Sequence, residues 1–148
     1  MLRRVGFDAS LEKAGLLGHS NERPGDIFIH TYMTGRPAAL DITVSSVVQS
    51  SSLSKASQDT GFVIRAAKAR KDHKFYEKCA SEGIDFIPLA VESLGGWGES
   101  ALGVFKQIAQ RKSYYAFSSF SFEFNQILQQ LSVCLQRENA AMILSRLV

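Results

Sequence analysis

Apolar residues between positions 27 and 44 fall into two short runs, and this pattern predicts a β-hairpin. The runs Ile27–Tyr32 and Ala38–Val44 contain β-branched and other apolar residues, and Gly35 lies in the turn-prone segment TGRP between them. Two such runs on either side of a glycine-containing turn are typical of adjacent antiparallel strands. A third run, Ile84–Val91, is apolar almost throughout, so we expect a strand covered on both faces beside the hairpin.

Four further segments have the capping residues or the apolar spacing of helices. Asp8 or Ser10 can cap the first of them, and Gly18 ends it. The succession of helix, hairpin, helix, strand and two helices predicts an α/β layer fold with a mixed sheet, and residues 1–148 are expected to form one domain. The four predicted helices span residues 8–18, from Ser52 or Ser54 to about Gly83, about Glu99–Arg111, and Phe122–Leu147.

The composition narrows the classes of protein only slightly. Of the 148 residues, 45% are hydrophobic and 21% are charged, which is ordinary for a globular chain. The net charge of +3 favours a polyanionic partner weakly, and the absence of an 18-residue apolar run argues against a membrane span. Cys79 and Cys134 stand alone and far apart, which indicates reduced thiols in an intracellular protein.

Two carboxylates in the predicted hairpin need an explanation. Asp26 opens the first run and Asp41 lies inside the second, although a carboxylate in a buried strand is costly unless it is paired. A hairpin that turns near Gly35 brings both residues to the same open end, where they could share a Mg²⁺ ion. The alternative is structural: Asp26 ends a turn, and Asp41 is a hydrogen-bonded strand residue.

Other charged residues can also be interpreted either as functional groups or as ordinary structural ones. Glu12, on the predicted first helix, could supply a third oxygen ligand, or it could be an ordinary solvated helix residue. The long helix carries a lysine stripe that could neutralise phosphates, although such a stripe is often only a solvated face. The stripe falls within roughly one third of the helix circumference and comprises Lys68, Lys71, Lys74 and Lys78.

Taken together, these residues resemble the restriction-endonuclease-like superfamily, whose motif is an aspartate, a variable hairpin and then Asp/Glu-x-Lys. More narrowly, the chain is similar to the endonuclease-type domain that follows the reverse transcriptase of non-LTR retrotransposons and related elements. The matching pieces lie between about Glu12 and Gly98, in the right order. They are RPGD with Asp26, ALDITV with Asp41, KDHKFY as a lysine-x-x-lysine-aromatic segment, and ESLGGWG after the next strand.

The resemblance implies a mixed β-sheet flanked by helices, with additional C-terminal helices, and a DNA-nicking activity that requires Mg²⁺ or Mn²⁺. It implies metal binding by Asp26 and Asp41, with Glu12 as an auxiliary carboxylate. Thr43 occupies the usual lysine position, and in this branch the lysine is thought to move to the following helix. That replacement would be Lys71 or Lys74.

Between the two lysines, we expect Lys74 to be catalytic, because it leans toward Val63 and Ala67, which should pack on the sheet. Lys71 is then expected to contact phosphate. Arg36 in the hairpin turn, together with Lys68 and Lys78, is expected to hold the nucleic-acid backbone.

The resemblance also implies particular partners and a location in the cell. The partner would be DNA or RNA, and a reverse transcriptase domain would belong to the same parent polyprotein. The expected location is intracellular and nuclear.

Two functions other than cleavage stay open. The chain could be a catalytically inactive nuclease-fold module that binds nucleic acid. It could also be a protein-interaction domain, or an open reading frame from a decayed element. The sequence contains no G-x-S-x-G serine-hydrolase motif, no P-loop and no dinucleotide-binding fingerprint.

Overall fold

A four-stranded mixed sheet organises the protein, as the sequence predicts at the level of fold class. The computed structural model describes residues 2, 6–18, 21–48 and 50–146. Strands β1, β2 and β3 are antiparallel neighbours, and β4 joins β3 in parallel, which gives the spatial order β1-β2-β3-β4. The strands are β1 Ala9–Leu11, β2 Ile27–Ile29, β3 Ala38–Ser45 and β4 Asp85–Glu92.

The predicted hairpin is confirmed, with a shorter first strand than expected. Ile27 pairs with Leu40 and Ile29 with Ala38, and the chain then leaves the ladder before the turn. Gly35 has a φ of 78°, a left-handed conformation that favours glycine. The predicted third strand is also confirmed as β4, and its position at the edge of the sheet explains how it tolerates Pro88, which has no N–H to donate.

The helix predicted over residues 8–18 is wrong. Strand β1 lies there instead and pairs with β2, from Ala9 opposite Ile29 to Leu11 opposite Ile27. The chain turns away immediately afterwards, because Glu12 has a φ of 46° and is followed by Gly15 and Gly18, also with positive φ. Left-handed residues are incompatible with a continuous right-handed helix, so the apolar spacing of this segment is misleading.

The single long helix predicted after the hairpin is two helices. Helix α1 spans Ser50–Gln58, so it begins before Ser52 and Ser54, and neither of them is its N-cap. Gly61, with a φ of 79°, separates it from helix α2, Phe62–Ser81.

The two C-terminal helices are present and differ from the prediction only at their ends. Helix α3 spans Glu99–Ala116 and helix α4 spans Phe120–Leu144, with Ser119 accepting a capping hydrogen bond from the Phe122 N–H. The predicted end at Leu147 lies outside the described residues. Within the described part of the chain, no helix has both the length and the apolar character of a membrane span.

The helices cover the two faces of the sheet with separate apolar clusters. Helix α2 packs on the face that carries Phe28, Ala39 and Phe86, whereas α3 and α4 pack on the face that carries Ile29 and Leu40. Strand side chains alternate between faces, so Asp41 belongs to the α2 face, with Ala39. The fold therefore directs the Asp41 carboxylate toward α2.

Candidate functional site

Asp26 and Asp41 lie at the same end of the β2–β3 pair. Asp26 comes directly before β2, whose first residue, Ile27, pairs with Leu40 of β3. The Asp26 carboxylate binds the backbone N–H of Ile42, the residue that follows Asp41. The hairpin therefore places Asp26 beside the segment of β3 that carries Asp41.

The glycine in RPGD lets Asp26 reach this position. Gly25 is buried against β3, and a Cβ built on it would lie 2.8 Å from the carbonyl oxygen of Leu40. Only a residue without a side chain fits such a close approach of two backbones. Asp26 follows at once, and its carboxylate Oδ2 accepts a hydrogen bond of 2.7 Å from the Ile42 N–H.

Asp41 is the buried member of the pair, and two side chains on the α2 face compensate its charge. The Lys71 ammonium lies 3.0 Å from its Oδ1 and 2.9 Å from its Oδ2. Thr43, two residues along the same strand face, donates its hydroxyl to Oδ2 at 3.1 Å. The Asp41 side chain is only 8% exposed and that of Lys71 is 33% exposed, so this ion pair is partly shielded from water.

Helix α2 delivers Lys71 to Asp41 because of its position in a buried row. Val63, Ala67, Phe75 and Cys79 are buried against the sheet at four-residue intervals, and Lys71 occupies the vacant step between Ala67 and Phe75. Residues at this spacing lie on one helix face. The long apolar stem of lysine can cross the packed surface and place its ammonium at the carboxylate.

The preference for Lys74 as the lysine aimed at the aspartates is therefore wrong. The Lys74 ammonium lies over the Phe75 ring, 4.6 Å from its centroid, and 4.0 Å from a carboxylate oxygen of Glu22. Its side chain is 58% exposed. Lys71, four residues after Ala67, is the lysine that faces the sheet, and Lys74, seven residues after Ala67, is not.

Glu12 comes close to Asp26 through its backbone and not through its carboxylate. The Glu12 N–H donates to the Asp26 carbonyl oxygen at 2.9 Å, which continues the β1–β2 pairing by one residue. The Glu12 carboxylate instead forms an exposed ion pair of 2.9 Å with Arg23. Across the described residues, no group of three or more His, Cys, Asp and Glu side chains is arranged to hold a metal ion.

The predicted phosphate-binding cations do not form one continuous surface. Lys71 and Lys78 reach toward β3 and Glu22, whereas Lys68 lines a cleft that contains Pro88 of the edge strand. Each of these side chains, and that of Arg36, has an acidic neighbour. Lys71 pairs with buried Asp41. The exposed pairs are Lys68–Asp72 at 2.5 Å, Lys78–Glu22 at 2.6 Å and Arg36–Asp85 at 3.5 Å. Exposed pairs of this kind contribute about 0–1 kcal/mol, so they would yield readily to a polyanion.

A cavity of about 510 Å³ lies on the opposite face of the sheet. It is lined by apolar side chains, among them Leu40, Ile42 and Phe105. No ionisable side chain lines it, so it does not extend the charged site around Asp41.

Sequence reasoning missed three groups that hold the candidate site in place. The sequence identifies Thr43 only as the residue in the position where the superfamily usually has lysine. Because Thr43 lies two residues after Asp41, both side chains are on one face of the strand. The Arg23 partner of Glu12 and the Ile42 N–H that binds Asp26 depend on tertiary contacts and leave no local pattern.

Comparison of the chain with protein-family models, curated proteins and solved structures gives no match.

Proposed function

We propose that this chain is a divalent-metal-dependent endonuclease domain of the restriction-endonuclease-like type, which nicks DNA by phosphodiester hydrolysis. One observation carries the proposal. The Lys71 ammonium lies within 3.0 Å of buried Asp41, and the next residue of the strand, Ile42, donates its N–H to the carboxylate of a second aspartate, Asp26. Two carboxylates and a lysine at one point are the groups that the Asp and Asp/Glu-x-Lys motif supplies.

The fold supports this assignment without being specific to it. The mixed sheet is flanked by helices and followed by the additional helices α3 and α4. The site residues also come in the expected order along the chain, with the lysine on the helix after the hairpin. We extend the proposal to a retroelement origin, a reverse transcriptase domain in the parent polyprotein and a nuclear location.

The two aspartates suit a hard cation such as Mg²⁺ or Mn²⁺, which prefers oxygen ligands and one or two carboxylates. Asp26 is exposed, and within the described residues its Oδ1 accepts no hydrogen bond, so this oxygen is available. Asp41 can contribute its own oxygens if Lys71 moves away. A bound cation supplies Lewis acidity, which polarises a phosphodiester oxygen and makes water more acidic.

The protein's own groups then have separate tasks. Thr43 and the Ile42 N–H fix the two carboxylates, and Lys71 neutralises charge that develops on the phosphate in the transition state. Arg36, Lys68 and Lys78 would exchange their weak acidic partners for the nucleic-acid backbone and would not read its sequence.

Nicking of supercoiled plasmid tests the proposal. The wild type should nick in Mg²⁺ or Mn²⁺ and stay inactive with EDTA. Asp41→Asn and Lys71→Met should each lower the rate by roughly 10²–10³-fold, the usual effect of removing a group that stabilises the transition state. Lys74→Met removes a neighbouring lysine that pairs elsewhere, so it should nick within about threefold of the wild type. An inactive wild type, or equal losses in the Lys71 and Lys74 variants, would contradict the assignment.

The second candidate is a nuclease-fold module that binds nucleic acid without cutting it. Thr43 in the lysine position favours it, because threonine supplies no positive charge at the place where the superfamily usually has one. This candidate predicts DNA or RNA affinity that falls steeply with salt, together with plasmid that stays intact. Absence of any salt-dependent affinity would favour a protein partner instead.

A further inference from the structure

Lys71 contacts both oxygens of Asp41, so it occupies the places that a metal ion would use. Its ammonium is 3.0 Å from Oδ1 and 2.9 Å from Oδ2, and the Thr43 hydroxyl also binds Oδ2. An ammonium and a divalent cation repel each other strongly when they approach the same shielded carboxylate. The two cations therefore compete for Asp41.

We infer that Lys71 is a displaceable counterion: it holds metal off Asp41 in the free protein and releases the carboxylate when a nucleic-acid phosphate attracts its ammonium. Metal and nucleic acid would then bind cooperatively through this one side chain. The inference rests on the carboxylate pair of the proposed function, although it does not require that cleavage follow.

The surroundings of Lys71 allow the exchange. One third of its side chain is exposed, so the ammonium can move toward the surface while its stem stays between Ala67 and Phe75. Thr43 retains its hydrogen bond to Asp41 whichever cation is present. Asp26, whose carboxylate binds the N–H of the residue after Asp41, is exposed, so a metal ion can approach from the solvent side.

Coupling of this kind is reciprocal. If a phosphate raises the metal affinity by a certain factor, metal raises the affinity for that phosphate by the same factor. Without the lysine, the obstacle disappears, and so does the part of the coupling that passes through this side chain. The variant should thus bind metal more tightly on its own and respond less to nucleic acid.

Mn²⁺ binding to the whole chain, followed by electron paramagnetic resonance of the free ion, tests the first consequence. Without nucleic acid, Lys71→Met should bind Mn²⁺ about tenfold more tightly than the wild type, within the usual range for coupled sites. The matched variant Lys74→Met should bind as the wild type does. Adding Asp41→Asn to Lys71→Met should remove the gain. Lys71→Gln, which keeps a donor for Asp41, replaces Lys71→Met if the latter does not fold.

The same titration with a short DNA duplex tests the coupling. After subtraction of the Mn²⁺ that the duplex binds by itself, the duplex should raise the Mn²⁺ affinity of the wild type by a larger factor than that of Lys71→Met. The inference is overturned if Lys71→Met alone binds Mn²⁺ no more tightly than the wild type, or if the duplex raises both affinities by the same factor. A gain in Lys71→Met with weaker coupling, but with plasmid that the wild type never nicks, would support the inference and reject the nuclease function.

Discussion

Removal of the Lys71 ammonium is the most informative change to the folded protein, because it leaves the Asp41 charge shielded from water with the Thr43 hydroxyl as its remaining partner among the described residues. Breaking a fully buried ion pair by removing one member costs about 3–5 kcal/mol. The Lys71 side chain is 33% exposed, so water screens part of this loss. We therefore expect Lys71→Met to lower the free energy of unfolding by roughly 2–3 kcal/mol.

A double-mutant cycle separates the ion pair from other effects of the methionine. Asp41→Asn should cost about 1 kcal/mol, since the amide can keep the Thr43 hydrogen bond and Lys71 can turn toward water. The double variant should then lose less than the sum of the single losses, with a coupling free energy of about 1.5–2 kcal/mol.

Urea unfolding in the absence of divalent metal measures all three variants, with Lys74→Met as the matched control. Because Lys74 is exposed and 4.0 Å from its acidic neighbour, this control should stay within about 0.5 kcal/mol of the wild type. Equal losses for the Lys71 and Lys74 variants, or a coupling free energy near zero, would refute the ion-pair argument.

Three further predictions concern other parts of the molecule. Burial raises the pKa of the Cys79 thiol to about 11, so a thiol reagent at neutral pH should label exposed Cys134 and leave Cys79 unlabelled until the protein unfolds. Hydrogen bonds lower the pKa of Glu123, the one from Lys112 most strongly and then one from a serine hydroxyl. The ionised Glu123 carboxylate therefore stabilises the fold above its unfolded-state pKa, and this stabilisation is lost as the pH falls through its folded-state pKa. Glu123→Gln should flatten the acid limb of a plot of stability against pH. Gly25→Ala should lower the free energy of unfolding in urea by about 1–3 kcal/mol, because the new Cβ would lie 2.8 Å from the β3 backbone. In the comparison variant Gly35→Ala, the new Cβ would have no atom within 4 Å, so that variant loses stability only through its positive φ.

The sequence predicts the part of the fold that depends on strong local patterns. The two runs around Gly35 and the apolar run of β4 define three of the four strands, because their apolar content and turn chemistry agree with their tertiary environment. The position of Asp26 beside the β3 segment that carries Asp41 also follows from the hairpin, since a turn near residue 35 brings both to its open end.

Other features depend on contacts that no local pattern records. Residues 9–11 form a strand because β2 offers a free edge, and this pairing overrides the helical spacing of the segment. The break at Gly61 depends on one left-handed residue inside an otherwise helical stretch. The Glu12 carboxylate pairs with Arg23, which is distant along the sequence, so this contact leaves no local pattern.

The choice between the two lysines could have been made from the sequence. The buried row at residues 63, 67, 75 and 79 has one polar member, at 71, and its four-residue spacing is visible without a structure. Lys74 lies seven residues after Ala67 and directly before Phe75, so it flanks this row and does not belong to it. A polar residue that interrupts a buried helical row is therefore a better candidate than one beside it.

Anomalous diffraction from crystals of the wild type with Mn²⁺ and a short DNA duplex tests the central claim most directly. The account predicts a manganese peak shared by the carboxylates of Asp26 and Asp41, with the Lys71 ammonium moved from Asp41 to a phosphate. A structure at saturating Mn²⁺, with duplex bound, in which no manganese lies at these carboxylates and Lys71 stays paired with Asp41 would contradict it.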